Sequence, residues 1–70
     1  MYHFLITYDD AGWHREVINS VTRDICCGSP TYKTLGECLC GCSSYADRTK
    51  DPITRKAAID LGGATITVAV

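Results

Sequence analysis

One segment of this 70-residue chain carries the period of a helix, and it lies between segments that carry the period of a strand. Leu35, Cys38, Leu39, Cys42, Tyr45 and Ala46 fall at i, i+3, i+4, i+7, i+10 and i+11. At ~100° per residue they gather within an arc of about 120°, a stripe wide enough to face a core. Thr34 followed by Glu37 matches a capping box, in which hydroxyl and carboxylate satisfy the free amides of a helix start. A lone amphipathic helix among strands buries its stripe against a sheet, so the chain is expected to be α+β. At this length a domain buries only about 60% of the surface its unfolded chain exposes. The expected object is therefore a single domain over residues 1–70, marginal enough to gain from a partner.

The flanking segments define the sheet. Tyr2, Phe4, Ile6 and Tyr8 alternate with His3, Leu5 and Thr7, which predicts a first strand over Tyr2–Tyr8 with one strongly apolar face. Asp9-Asp10-Ala11-Gly12 is turn chemistry, because Asp closes Asx-turns and Gly accepts positive φ. A second strand is expected from Trp13 to about Ser20, with a bulge or an abrupt twist where Val17 and Ile18 adjoin and the alternation slips. Asn19–Thr22 turns the chain again, and Arg23–Cys27 is the expected third strand.

Residues 52–61 permit two readings. Asp51-Pro52 can start a short helix ending at Gly62, but Ile59 then points away from Ile53, Ala57 and Leu61. A hairpin with Gly62-Gly63 as its two-residue turn pairs Leu61 with Ala64, Ile59 with Ile66 and Ala57 with Val68. It leaves Asp60, Thr65 and Thr67 on the other face and accounts for Ile59, so the hairpin is preferred. Together these elements predict a small antiparallel sheet of four to five strands with one helix packed on one face: βββα, then a C-terminal β-hairpin or a short helix plus strand.

The run Tyr2-His3-Phe4, Ala11-Gly12-Trp13-His14-Arg15, Ser29 and Tyr32-Lys33-Thr34, leading into a helix, resembles one βββα unit of the YegP-like family of small bacterial proteins. The likeness covers about residues 2–46 and lies in spacing and aromatic placement. Asn19-Ser20-Val21 stands where that family has an Asn-Gly turn, and a second unit is missing. The resemblance implies the βββα order and no catalytic residues. In size and style the chain is also similar to small phage anti-defence proteins, anti-CRISPR proteins among them, which implies an inhibitor working in the host cytoplasm.

Composition narrows the chemistry. Seven Lys+Arg against eight Asp+Glu leave a net charge of -1, which gives no electrostatic footprint for nucleic acid or an anionic membrane. No apolar run approaches the ~20 residues of a membrane helix, and the N-terminal run lacks the basic and apolar regions of a signal peptide. Five cysteines are an odd count, so a reduced, cytoplasmic chain without a disulfide framework is expected. Cys26-Cys27 and Cys38-Leu39-Cys40-Gly41-Cys42, with His3 and His14, raise a metal site. On a helix, however, Cys40 points about 140° from the centre of the stripe that holds Cys38 and Cys42, so the three thiols do not converge. Cys38 and Cys42 are read as core, with no metal and no cofactor.

Three other groups could meet a ligand. Ser29, Thr31 and Lys33 precede the helix start and suggest a loose anion site. Arg48, Lys50, Arg55 and Lys56 form a small basic cluster, the basis of an alternative nucleotide- or nucleic-acid-binding reading. Gly36, Glu37, Cys40, Gly41, Ser43 and Ser44 lie opposite the stripe, where a solvated helix normally carries Lys, Glu and Arg. Such a small-residue face lets another backbone approach. The leading expectation is a non-catalytic protein-binding module, in the manner of an inhibitor of a larger host complex. Its contacts are expected from Gly36, Glu37, Cys40, Gly41, Ser44, Trp13, Arg48, Lys50, Arg55 and Lys56. A larger protein target and a homodimer are the expected partners, and a cysteine-ligated metal domain is the third reading.

Overall fold

The computed structural model describes residues 1–25 and 30–70. In it the first two alternating segments form an antiparallel hairpin, β1 (Tyr2–Asp9) and β2 (Gly12–Asn19), in unbroken register from Tyr2↔Asn19 to Asp9↔Gly12. Asp9 closes the turn by accepting the Ala11 N–H at 2.8 Å. Gly12 adopts φ +127°, and a Cβ there would lie 2.6 Å from the Tyr32 carbonyl oxygen. Only glycine meets both conditions.

A two-residue strand β3 (Thr31–Tyr32) pairs with the start of β2. Helix α1 (Leu35–Arg48) follows, then the hairpin β4 (Ile53–Asp60) and β5 (Thr65–Ala69). Thr34 caps α1 by accepting the Glu37 N–H at 3.2 Å, and the Thr49 N–H closes the other end on the Tyr45 carbonyl at 2.9 Å. The strand order is β3-β2-β1-β4-β5.

Among the described residues the α+β class, the five strands and the single helix against the sheet agree with expectation, three details are corrected and one open choice is settled. The sheet is mixed, because β4 runs parallel to β1. The chain leaves β3 through α1, crosses the sheet and re-enters beside β1 in the same direction, as a parallel pair requires. No bulge interrupts β1–β2 at Val17–Ile18; the register shift falls between Tyr2 and Phe4 in the β1–β4 pairing. The third strand is Thr31–Tyr32 rather than Arg23–Cys27. Asn19 holds the preceding turn, its side chain accepting the Val21 and Thr22 N–H groups at 2.9 and 3.1 Å. Arg23 takes φ +68°, and Ile25 makes only an isolated bridge to Ile18. Cys26 and Cys27 of that expected strand lie outside the described residues. Residues 53–60 are strand, which settles the choice in favour of the hairpin, with Leu61, Ile59 and Ala57 facing Ala64, Ile66 and Val68 as the turn parity requires.

The core sits between α1 and the three middle strands. Phe4 and Ile6 on β1, Val17 on β2, Ala57 and Ile59 on β4, and Cys38 and Cys42 on α1 are buried. The rest of the helical stripe, Leu35, Leu39, Tyr45 and Ala46, packs around them. Tyr45 meets Phe4 edge to face, with ring centroids 6.0 Å apart. Among the described residues no helix is long and apolar enough to cross a membrane.

Candidate functional site

The cap and the buried stripe fix which side of α1 meets solvent. Gly36, Glu37, Cys40, Ser44 and Arg48 are exposed there. Gly41 is not part of that surface. It is half-buried, and a Cβ on it would fall within van der Waals reach of the Tyr32 hydroxyl and 2.6 Å from Tyr32 Cζ. Its small size therefore has an intramolecular reason: α1 sits close over β3 at this point.

Beneath Gly41 lies a charge that sequence reasoning did not pick out. Arg15 shares the parity of Trp13 and Val17, so β2 aims it at the helix side of the sheet, where it is 8% exposed. Its Nη1 donates to the Gly41 carbonyl at 3.2 Å, and its guanidinium carbon stands 5.0 Å from the centre of the Tyr45 ring. Its Nε is buried without a hydrogen-bond partner. The parity with Trp13 and with the core residue Val17 was the available signal.

The free thiols beside it are inert. Burial pushes the Cys42 thiol up to about 12, and the neighbouring Cys38 adds to the shift while Arg15 opposes it. Burial also raises Cys38, again against Arg15. A thiolate is the reactive form of cysteine, so neither is a nucleophile at neutral pH. Cys40 is free and exposed on the opposite side of the helix, and the three sulfurs do not converge.

At the β1–β2 turn, Asp9 Oδ1 lies 2.7 Å from His14 Nε2, and His14 Nδ1 lies 3.3 Å from Thr31 Oγ1. The His14 imidazole 2.7 Å away, helped by the Ala11 N–H, holds the Asp9 carboxyl below its ordinary value of 3.8. The order carboxylate, imidazole, hydroxyl is that of a nucleophile relay. Here it spans paired strands, with no pocket among the described residues to hold a substrate beside Thr31. The cluster ties the short β3 to the hairpin. Of the expected anion-site residues, Thr31 is exposed with its hydroxyl against His14, Lys33 is exposed, and Ser29 lies outside the described residues.

The basic residues do not form one patch. Arg55 points to the helix side, donating to Asp47 at 2.7 Å, Ser43 Oγ at 3.2 Å and the Val70 carbonyl at 3.1 Å. Lys56, its neighbour on the strand, faces the other side of the sheet. Arg48 donates back to the Ser44 carbonyl at 3.2 Å, and Lys50 is exposed beyond the helix. Trp13 is half-buried and stacks at a tilt on Tyr8, with centroids 4.7 Å apart. Comparison with protein-family models, curated proteins and solved structures finds no match, so the surface is interpreted from its own geometry.

Proposed function

We propose that the protein is a non-catalytic protein-binding module that engages a larger protein target through the outer face of α1. The observation that carries this reading is the row Gly36, Glu37, Cys40 and Ser44, exposed on a helix that is capped at both ends and anchored by its buried stripe. Gly36, Cys40 and Ser44 surrender little rotamer freedom when covered, and a preorganised helix presents them at low entropic cost. The nucleic-acid reading needs a coherent basic surface, whereas Arg55 is tied to Asp47 and Lys56 faces away from it. That split favours a protein partner.

The test is affinity capture from the source cells with native mass spectrometry of the bait. Wild-type protein is expected to retain a stoichiometric protein partner. Cys40→Glu and Ser44→Lys are expected to lose it at least tenfold while keeping the wild-type circular dichroism and melt. Retention by both variants, or recovery of nucleic acid or metal in place of a protein, overturns the reading. A captured subunit of a host defence complex would give the binding the inhibitory role that the likeness to phage anti-defence proteins implies.

A further inference from the structure

The sheet has two edges of very different character. β3 is two residues long, too short to template another chain, while β5 is a full strand with nothing beyond it in the strand order. Leu61 donates to the Ala64 carbonyl at 2.9 Å and Val70 to the Arg55 carbonyl at 3.1 Å. Antiparallel pairing alternates, so these two bonds set the direction of every backbone group between them. Ile66 and Val68 turn their N–H and C=O groups inward to β4. Thr65, Thr67 and Ala69 turn theirs outward, to the open edge. That edge carries none of the usual protection, since Thr65-Ile66-Thr67-Val68-Ala69 contains no charge, no proline and no bulge.

We infer that β5 pairs antiparallel with β5 of a second copy about a two-fold axis at Thr67, joining the two sheets into one. The sequence of the strand is self-complementary about that residue. Thr67 faces Thr67, Thr65 faces Ala69 and Ile66 faces Val68, so every outward N–H and C=O of the three residues finds a partner. Ile66, 49% exposed on the helix side, gains the second copy's Val68 as a cross-strand neighbour.

Complete backbone pairing selects this register over its neighbours, since an axis at Thr65 or at Ala69 sets Thr67 opposite a position outside the strand. On the other face Asp60 sits behind Thr65 and Lys56 behind Ala69, so the Thr67 axis places Lys56 of one copy in the same row as Asp60 of the other. An axis at Thr65 would instead align Asp60 with Asp60, and an axis at Ala69 would align Lys56 with Lys56. The charged pair stands three strand spacings apart, ~14 Å at the backbone, against a screening length of ~8 Å at physiological salt. Charge is therefore a minor term in both register and strength. A single pair of five-residue strands is a small contact beside stable interfaces, which bury from about 1,200 Å², so association is expected to depend on concentration. This interface is separate from the outer face of α1 and is tested without any target.

Sedimentation velocity of the reduced protein over a concentration series reads the association. Wild-type protein is expected to pass from monomer to dimer. Thr67→Pro removes an outward N–H that the fold does not use, and Thr67→Lys sets two cations face to face at the axis. Each is expected to weaken the dimer at least tenfold with unchanged circular dichroism. In a background with Cys26, Cys27 and Cys40 replaced by Ser, oxidation is expected to cross-link Thr67→Cys to itself, whereas Thr65→Cys cross-links with Ala69→Cys in a mixture and not with itself. A wild-type protein that stays monomeric, a dimer that survives both Thr67 variants, or Thr65→Cys linking to itself as readily as Thr67→Cys overturns the inference.

Discussion

Replacing Gly41 by alanine sets two opposed energies against each other at one atom. In an exposed helix interior, glycine to alanine stabilises by about 1 kcal/mol, because glycine loses more backbone freedom on folding. At Gly41 the added Cβ would stand 2.6 Å from Tyr32 Cζ and closer still to the hydroxyl. Forcing a group into filled space costs about 1–3 kcal/mol, and the Tyr32 backbone from which that ring projects is fixed by its pairing with Trp13 and its close approach to Gly12. The net expectation is a loss of about 1 kcal/mol, or roughly 4–8 °C in Tm for a domain of this size. Tyr32→Val vacates the space, and in that background Gly41→Ala is expected to stabilise by up to about 1 kcal/mol. Gly36→Ala, where an added Cβ meets nothing within 4 Å, is the reference for the helix term alone. Urea unfolding followed by circular dichroism and by Trp13 fluorescence gives all five free energies. If Gly41→Ala stabilises the wild-type background as much as Gly36→Ala does, the close approach of α1 to β3 is wrong, and the small residue at 41 needs an explanation outside the chain.

Arg15→Met is expected to be neutral or stabilising by up to about 2 kcal/mol, because it removes a buried charge whose Nε has no partner and keeps the volume; Arg15→Ala should cost about 2–4 kcal/mol through the cavity it leaves, and urea midpoints separate the two. Iodoacetamide at pH 8 with tandem mass spectrometry should label Cys40 readily and leave Cys38 and Cys42 protected until the fold is unfolded, as their burial and raised thiols require. Asp9 is held more acidic in the fold than its ordinary 3.8. Its contribution is therefore present at neutral pH and is lost as pH falls through the lowered folded value. Asp9→Asn should flatten that acid limb in urea midpoints measured from pH 5 downward, and an unchanged limb would show that the His14 contact contributes nothing.

The helix and the last hairpin were legible because each is governed by local chemistry. The cap at Thr34, the stripe through Cys38 and Cys42, and the parity of a two-residue turn at Gly62-Gly63 each fix their own neighbourhood, and all three appear where expected. The turn at Asp9–Gly12 likewise announced β2 as one partner of β1, but the parallel partner on its other side, β4, was not legible in that way. Alternation of Phe4 and Ile6 says that a strand has an apolar face, yet it does not encode which strand lies beside it or in which direction that strand runs. The misplaced third strand has a related cause. Ile25 and its neighbours have strand character, but the Asn19 turn and the approach of Tyr32 to Gly12 place the pairing at Thr31–Tyr32 instead. For the candidate site, the exposed row Gly36, Glu37, Cys40 and Ser44 follows from helical periodicity alone. The basic cluster does not survive because adjacent residues on a strand, Arg55 and Lys56, face opposite ways. Arg15 was hidden by its charge, although its spacing from Trp13 and Val17 already put it on the buried side.

The parallel seam between β1 and β4 dictates the order of events during folding. Both hairpins close through short local turns, and such loops form on the microsecond scale. The seam joins Phe4 to Ala57 and Ile6 to Ile59, so it cannot form until the helix has carried the chain back across the sheet. Non-local pairing of this kind slows folding, because the entropy of closing a long loop is lost before any contact repays it. Ala57→Gly, in the middle of the seam, should then act mainly on the unfolding rate if docking of β4 is the last event, and on the folding rate if docking is the barrier itself. On the ribosome the N-terminal hairpin and the helix emerge first, leaving β1 with one bare side. For that interval the strand destined for the centre of the sheet is an edge, open to any extended chain nearby.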